Sequence, residues 1–156
     1  EQPWIDQWQK EALEEAIENY EDGRYYSTGS ILMCQLGGLI TRLYDITKTI
    51  EEIPQEEKQE ILSLYDIGKP NSEKAKVIQM MSIQDQSILL WERSANYFAN
   101  YVYSSSNNIK KFQKDPGRNK ICHGELTNYG TQKHALKAIL VIDIIFQLGI
   151  QMFSKA

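Results

Sequence analysis

The residues whose types and spacing could do chemistry cluster late in this chain, in Arg118-Asn119-Lys120-Ile121-Cys122-His123-Gly124. Arginine offers a planar, permanently charged fork that matches phosphate oxygens, and a near-neutral imidazole can move a proton at physiological pH. The pair suits cleavage of a phosphodiester in RNA. There the 2′-hydroxyl is a built-in nucleophile, and a protein has only to supply a base, an acid for the leaving oxygen and a cation for the developing charge. That chemistry requires no metal. Cys122 and His123 are adjacent rather than at ligand spacing, and neither HExxH, CxxC nor an Asp-rich calcium loop occurs. Without GxGxxG or GxxxxGK[ST], no dinucleotide or phosphate-cradling loop is signalled, and no cofactor is expected.

One histidine cannot be base and acid in the same concerted displacement. The other histidine, His134, reads as a first-turn residue of the last helix and is assigned no role. A two-fold dimer resolves the difficulty by setting two Arg118 and two His123 side chains around one cleft. On a regular helix, residues five apart are separated by about 140° of rotation. Arg118 and His123 therefore converge only where the segment is irregular or a partner subunit contributes.

Charge points the same way. The chain carries a formal charge of −4, unevenly spread. Residues 1–22 hold eight acids against Lys10, a balance of −7, and repel phosphate. Residues 109–123 hold Lys110, Lys111, Lys114, Arg118 and Lys120 against Asp115, a balance of +4, and attract it. Lys114 and Lys120 are candidates to hold an RNA backbone, and Tyr129, in the connection after His123, to position a base. Plainer readings stand beside these. The basic segment is equally a solvated Lys-rich connection and Tyr129 a loop anchor. His123-Gly124 reads as a helix terminus with a left-handed glycine. Asp143 is a hydrogen-bonded structural acid or a dimer contact before it is a buried functional acid.

Arg118, Asn119 and His123 resemble the Arg-x(4–6)-His motif of HEPN domains, in which a polar residue often follows the arginine directly. The layout is similar over most of the chain, with the motif late and next to the last long helix. The resemblance implies a HEPN-like all-α bundle that pairs as a homodimer across the motif. It also implies a metal-independent endoribonuclease of toxin–antitoxin, phage-defence or RNA-processing systems, with Arg118 and His123 catalytic and Asn119 supporting them. A toxin would have an antitoxin protein as partner. Active members often place an acidic or polar residue on an earlier helix facing the motif. Here that place reads Gly37-Gly38, with Asp45 or Glu92 as substitutes. A bacterial branch is also similar in Tyr20-Glu21-Asp22-Gly23-Arg24-Tyr25 and in His123-Gly124 followed by Asn128-Tyr129-Gly130-Thr131.

The rival class is a non-catalytic dimerisation, interaction or sensor module, suggested by the acidic first helix. Geometry separates the two. An enzyme needs Arg118 and His123 both accessible and convergent in a cleft, whereas in the rival Arg118 is neutralised by an acid or His123 is buried.

The elements that must position these residues read as helices throughout, in a single domain spanning 1–156. With 42% hydrophobic residues, 24% charged and 4 prolines, the chain is long enough to bury its own core. Trp4, Trp8, Ala12, Leu13, Ala16, Ile17 and Tyr20 recur at helical spacing until Asp22-Gly23. A second helix runs from Ser27 or Thr28 to Ile53-Pro54 with Leu32, Leu36, Leu39, Ile40 and Leu43 inward. The mid-helix Gly37-Gly38 asks for close packing of another backbone or a kink. Pro54 suits the first turn of a third helix, broken at Gly68-Lys69-Pro70. Ser72 or Asn71 caps a short, fray-prone piece over 74–81, a long pattern covers 85–103, and Thr131 caps a last helix that is apolar nearly all round. No strand pattern is bounded by hairpin signals. The expected fold is an all-α, up-and-down bundle of about five helices.

The apolar run Ala138 to Phe146, interrupted by Asp143, falls short of the roughly 18 residues of a membrane span, so no membrane association is expected. Cys34 lies in an apolar helical stretch where a small buried thiol is usual, and it shares no CxxC pair with Cys122, which suggests a reducing cytoplasm. The sequence begins at Glu1 rather than Met, consistent with a piece of a longer protein.

Overall fold

Helix boundaries follow local chemistry in the computed structural model, which describes residues 3–50, 54–84, 89–104, 115 and 117–154. Helix α1 spans Gln7–Glu21 and opens on a capping box. The Asp6 carboxylate accepts from the Gln9 amide at 2.7 Å, while the Gln9 side chain accepts from the Asp6 amide. It closes at Gly23, whose φ of +74° is open to glycine without strain, with Gly23 N–H donating to Tyr20 and Arg24 N–H to Asn19. Helix α2 spans Tyr25–Ile50, and α3 spans Gln55–Leu64 with Pro54 as its N-cap, one position earlier than expected. Helix α4, Glu73–Ser82, is capped by the Ser72 hydroxyl. With six buried side chains it is fully formed where a fraying piece was expected.

Helix α5, Leu89–Tyr97, continues into a π-helical turn over Phe98–Val102 that Tyr103 closes by donating to the Phe98 carbonyl. Helix α6 is the five-residue Arg118–Cys122, and α7 spans Gln132–Ser154 with the Thr131 hydroxyl accepting from the His134 amide. The all-α bundle is as expected. Among the described residues it has seven α-helices rather than about five. Every regular element among them is helical.

Helix α2 is the hub, packing on α1, α4, α6 and α7. Its Leu32, Met33, Leu36, Leu39, Ile40 and Leu43 are buried in one cluster with Ile78 of α4, Phe98 of the π turn and Ile145 and Leu148 of α7. Burial of each such side chain contributes about 1.5–3 kcal/mol. Trp4 is fully buried, its indole seated where Gly149 has no side chain. Trp8, expected in the core, is 80% exposed. The buried line of α1 runs through Gln9, Ala16 and Asn19, and Trp8 lies about 100° away from Gln9 on the helix.

Helix α7 buries one face and leaves Leu136, Leu140 and Ile150 exposed on the other. By length and composition it is apolar enough to cross a membrane, with a mean hydropathy of 1.8 over 18 residues, which the interrupted run did not suggest. Its buried face packs on α2.

Candidate functional site at the Arg118 helix

Helix α6 is a regular turn of helix with Arg118 at its start and His123 as its C-cap. It ends in a Schellman motif. Gly124, at φ +71°, donates to the Ile121 carbonyl at 3.1 Å and Glu125 to that of Lys120 at 2.8 Å. This geometry turns His123 outward, and the imidazole is exposed. The left-handed glycine expected of a plain helix terminus is thus present beside the candidate histidine.

Arg118 faces the other way, into the bundle. Its Nη2 lies 3.2 Å from Glu73 Oε1, at the first position of α4, and its Nη1 donates to Asn119 Oδ1 at 3.2 Å. The guanidinium carbon stands 6.0 Å from the centre of the Tyr103 ring, within range of a cation–π attraction. The π turn carries that ring to the site, since Tyr103 is the residue that closes it. Gly37 explains how the cluster fits against α2. A Cβ there would collide with the Glu73 carboxylate and with Arg118 Nη2. The mid-helix glycine therefore makes room for side chains, rather than for a backbone or a kink. Gly38 does the same for the Gln9 carboxamide.

Arg118 Nε is buried without a hydrogen-bond partner among the described residues, and the buried Tyr103 hydroxyl has the Glu73 carboxylate as its polar neighbour. Burial, and secondarily the Glu73 charge, pushes the Tyr103 hydroxyl far above its ordinary pKa, so it stays protonated. The cluster forms one wall of a polar cleft of about 720 Å³ whose lining includes Thr41, Asp66, Lys69 and Lys74. Lys69, Lys74 and Arg118 bring more positive charge to it than Asp66 and Glu73 neutralise. Burial lowers the Lys74 pKa, opposed by the Asp66 charge. A larger groove of about 930 Å³ lies elsewhere, between α1 and Phe146 of α7, lined by Ile5, Leu13 and Ile17.

The Arg118 and Asn119 side chains bond to each other, whereas His123 meets Asn119 only through its backbone N–H, at 3.0 Å, and exposes its side chain at the end of the regular α6. Of the two routes to convergence, an irregular segment is absent from α6. The acid facing the motif is Glu73, not Asp45, which lies 3.9 Å from Lys76, nor Glu92, which is exposed. Lys120 is buried, and its ammonium bonds the Glu125 carboxylate, whose pKa that bond lowers. Lys114, with Lys110 and Lys111, lies outside the described residues.

Tyr129 is packed as an anchor. Its hydroxyl lies 2.6 Å from Ser30 Oγ and its ring stands edge-on to Tyr26 at 5.1 Å. Asp143 is exposed, accepting from Gln147 at 3.4 Å, and is not a buried acid. Asp115, just before α6, accepts from Lys137 at 2.6 Å and from the Tyr97 hydroxyl at 3.1 Å, tying that point of the chain to α7 and α5. His134 is buried in the first turn of α7, its Nδ1 2.8 Å from Thr131 Oγ1.

Sequence reasoning missed Glu73 and Tyr103. The available signal for the first was an unexplained glycine in the middle of a helix, which says that a bulky partner arrives without saying which. Among the described residues no group of three or more metal-ligating side chains comes together. No protein-family model matches the chain, and neither a curated protein nor a solved structure is significantly similar to it.

Proposed function

We propose that this chain is a cytoplasmic HEPN-type, metal-independent endoribonuclease acting as a homodimer on single-stranded or loop RNA. The observation that carries this reading is the Gly37 seat. A helix-destabilising glycine is placed where Glu73 and Asn119 can hold the Arg118 guanidinium at the wall of a cationic cleft. The same pair meets the condition set for the rival class, Arg118 neutralised by an acid, so the enzymatic reading requires a second copy to bring its His123 to the Arg118 wall.

In the reaction the 2′-oxygen attacks the adjacent phosphorus and the 5′-oxygen leaves, giving a 2′,3′-cyclic phosphate. One His123 takes the 2′-hydroxyl proton, and the His123 of a second copy protonates the leaving oxygen. Arg118 stabilises the charge that develops on the non-bridging oxygens. The exposed His123 at the end of a regular α6 suits a contribution across a two-fold axis. Toxin–antitoxin, phage-defence and RNA-processing settings fit this chemistry equally, and an antitoxin protein is the partner in the first.

A specific observation favours a second reading, a non-catalytic interaction or sensor module. Arg118 is paired with an acid and its side chain is only 22% exposed. Cleavage of an end-labelled mixed-sequence RNA in EDTA decides between the two. Wild-type cleavage should fall by about 10²-fold or more in Arg118→Ala and in His123→Ala, with unchanged circular dichroism. Retained turnover in Arg118→Ala overturns the enzymatic reading, and wild-type cleavage no higher than the variants supports the module.

A further inference from the structure

Cys34, expected as a buried core thiol, is exposed on α2, and its Sγ stands 3.1 Å from that of the half-buried Cys122 at the end of α6. Both are free thiols. Reacting atoms held about 3–3.5 Å apart are near attack distance, and an ordinary disulfide of about 2.05 Å lies roughly 1 Å of movement away. The pair also sits at a mechanically useful place. One turn along α2 is Gly37, and one turn back along α6 is Arg118, which Gly37 accommodates. The two cysteines thus form one rung, and Gly37 with Arg118 the next, of the packing between the same two helices.

We propose that Cys34 and Cys122 form a reversible dithiol–disulfide site, oxidised by low-molecular-weight disulfides such as glutathione disulfide, that latches α6 onto α2. The exposed Cys34 thiolate attacks one sulfur of glutathione disulfide, forming a mixed disulfide and releasing one glutathione thiolate. Cys122 then loses its proton to solvent and attacks Cys34 Sγ, expelling the second glutathione. Two protein thiols are oxidised to one disulfide, and one glutathione disulfide is reduced to two glutathiones. In the dithiol, burial and then the hydrogen bond with Cys34 push the Cys122 thiol up to about 12; capping Cys34 removes the second cause, and burial then holds Cys122 protonated until it closes. In a reducing compartment the pair rests as dithiol, and its exposed member makes closure a response to oxidant. Closure fixes the helix that carries Arg118 and ends at His123, whether or not RNA is cleaved.

The test treats the full chain with glutathione disulfide, alkylates residual thiols and reads intact and peptide masses. Wild type should lose the mass of two hydrogens and yield a linked 34–122 peptide pair, reversed by dithiothreitol. Cys122→Ser should stop with one glutathione on Cys34, and Cys34→Ser should leave Cys122 unmodified over the same time. Hydrogen exchange of the amides of 121–125 should slow roughly tenfold in the oxidised protein. Wild type that accumulates the glutathione adduct without closing, that links only between chains, or that keeps both thiols alkylatable overturns the site. Unchanged exchange after closure overturns the latch.

Discussion

Two glycines of α2, Gly29 and Gly37, each open a seat that a side chain of the segment 117–131 enters, at Gly37 together with Glu73 of α4, and the two seats are filled in opposite ways. At Gly29 the occupant is the Tyr129 ring, 3.1 Å from where a Cβ would stand, with its hydroxyl bonded to Ser30 and Tyr26 packed edge-on against it. Tyr26 in turn donates to the Thr127 carbonyl at 3.1 Å. At Gly37 the occupants are the ends of two charged side chains, with the guanidinium Nε left without a partner among the described residues. The same device, a missing Cβ on one helix, produces an anchor where every polar atom of the occupant is matched. Where matching is incomplete it produces a polar cleft with interaction capacity in reserve.

The sharpest way to break this comparison is Tyr129→Ala. Emptying the Gly29 seat should lower stability by about 2 kcal/mol, read from urea unfolding, because a half-buried ring is lost along with its hydroxyl bond. Cleavage per folded molecule should be unchanged. A loss of activity larger than the loss of folded protein would place Tyr129 on the RNA instead, and the two seats would no longer differ in kind.

Glu73→Ala should have a smaller effect, about 1–2 kcal/mol, by leaving the Arg118 charge partly buried without its acid. The comparison is sharpened by a double-mutant cycle with Arg118→Ala. Removing both partners should recover about 1 kcal/mol relative to additivity. Additive losses would show that the pair is adjacent without being coupled.

The smallest effects belong to the glycines themselves. Gly37→Ala gains up to about 1 kcal/mol of helix propensity and displaces only the flexible ends of Glu73 and Arg118, so its net stability change should stay within about 1 kcal/mol. Gly29→Ala presses on a ring held at both ends and should gain less. Cleavage should fall in Gly37→Ala and not in Gly29→Ala. Equal activity in the two variants would show that the Arg118 position is not set by the seat.

Much of the helical layout was legible because caps and periodicity are local. Asp22-Gly23, Ser72 and Thr131 do in the structure what their types imply in the chain. The failures share a cause. Trp8 and Cys34 lie at the edge of apolar stripes, and which edge is buried depends on where the neighbouring helix lies, which no window of a few residues contains. The five-residue α6 offers too few positions to show a period, so only its end, at His123-Gly124, is legible in the sequence.

The sequence by itself determined that the chain is helical, where most of its helices begin and end, and that Arg118, Asn119 and His123 are close in the chain on a basic stretch. Those are properties of neighbours, fixed by backbone hydrogen bonding and side-chain type within one or two turns. Only the tertiary structure decided that Glu73, 45 positions away, faces Arg118, that Tyr103 lies under it, and that Cys34 meets Cys122 across 88 positions. Such pairings depend on how the faces of α2, α4 and α6 are set against one another by close packing, and a glycine in one helix records the contact without naming its partner.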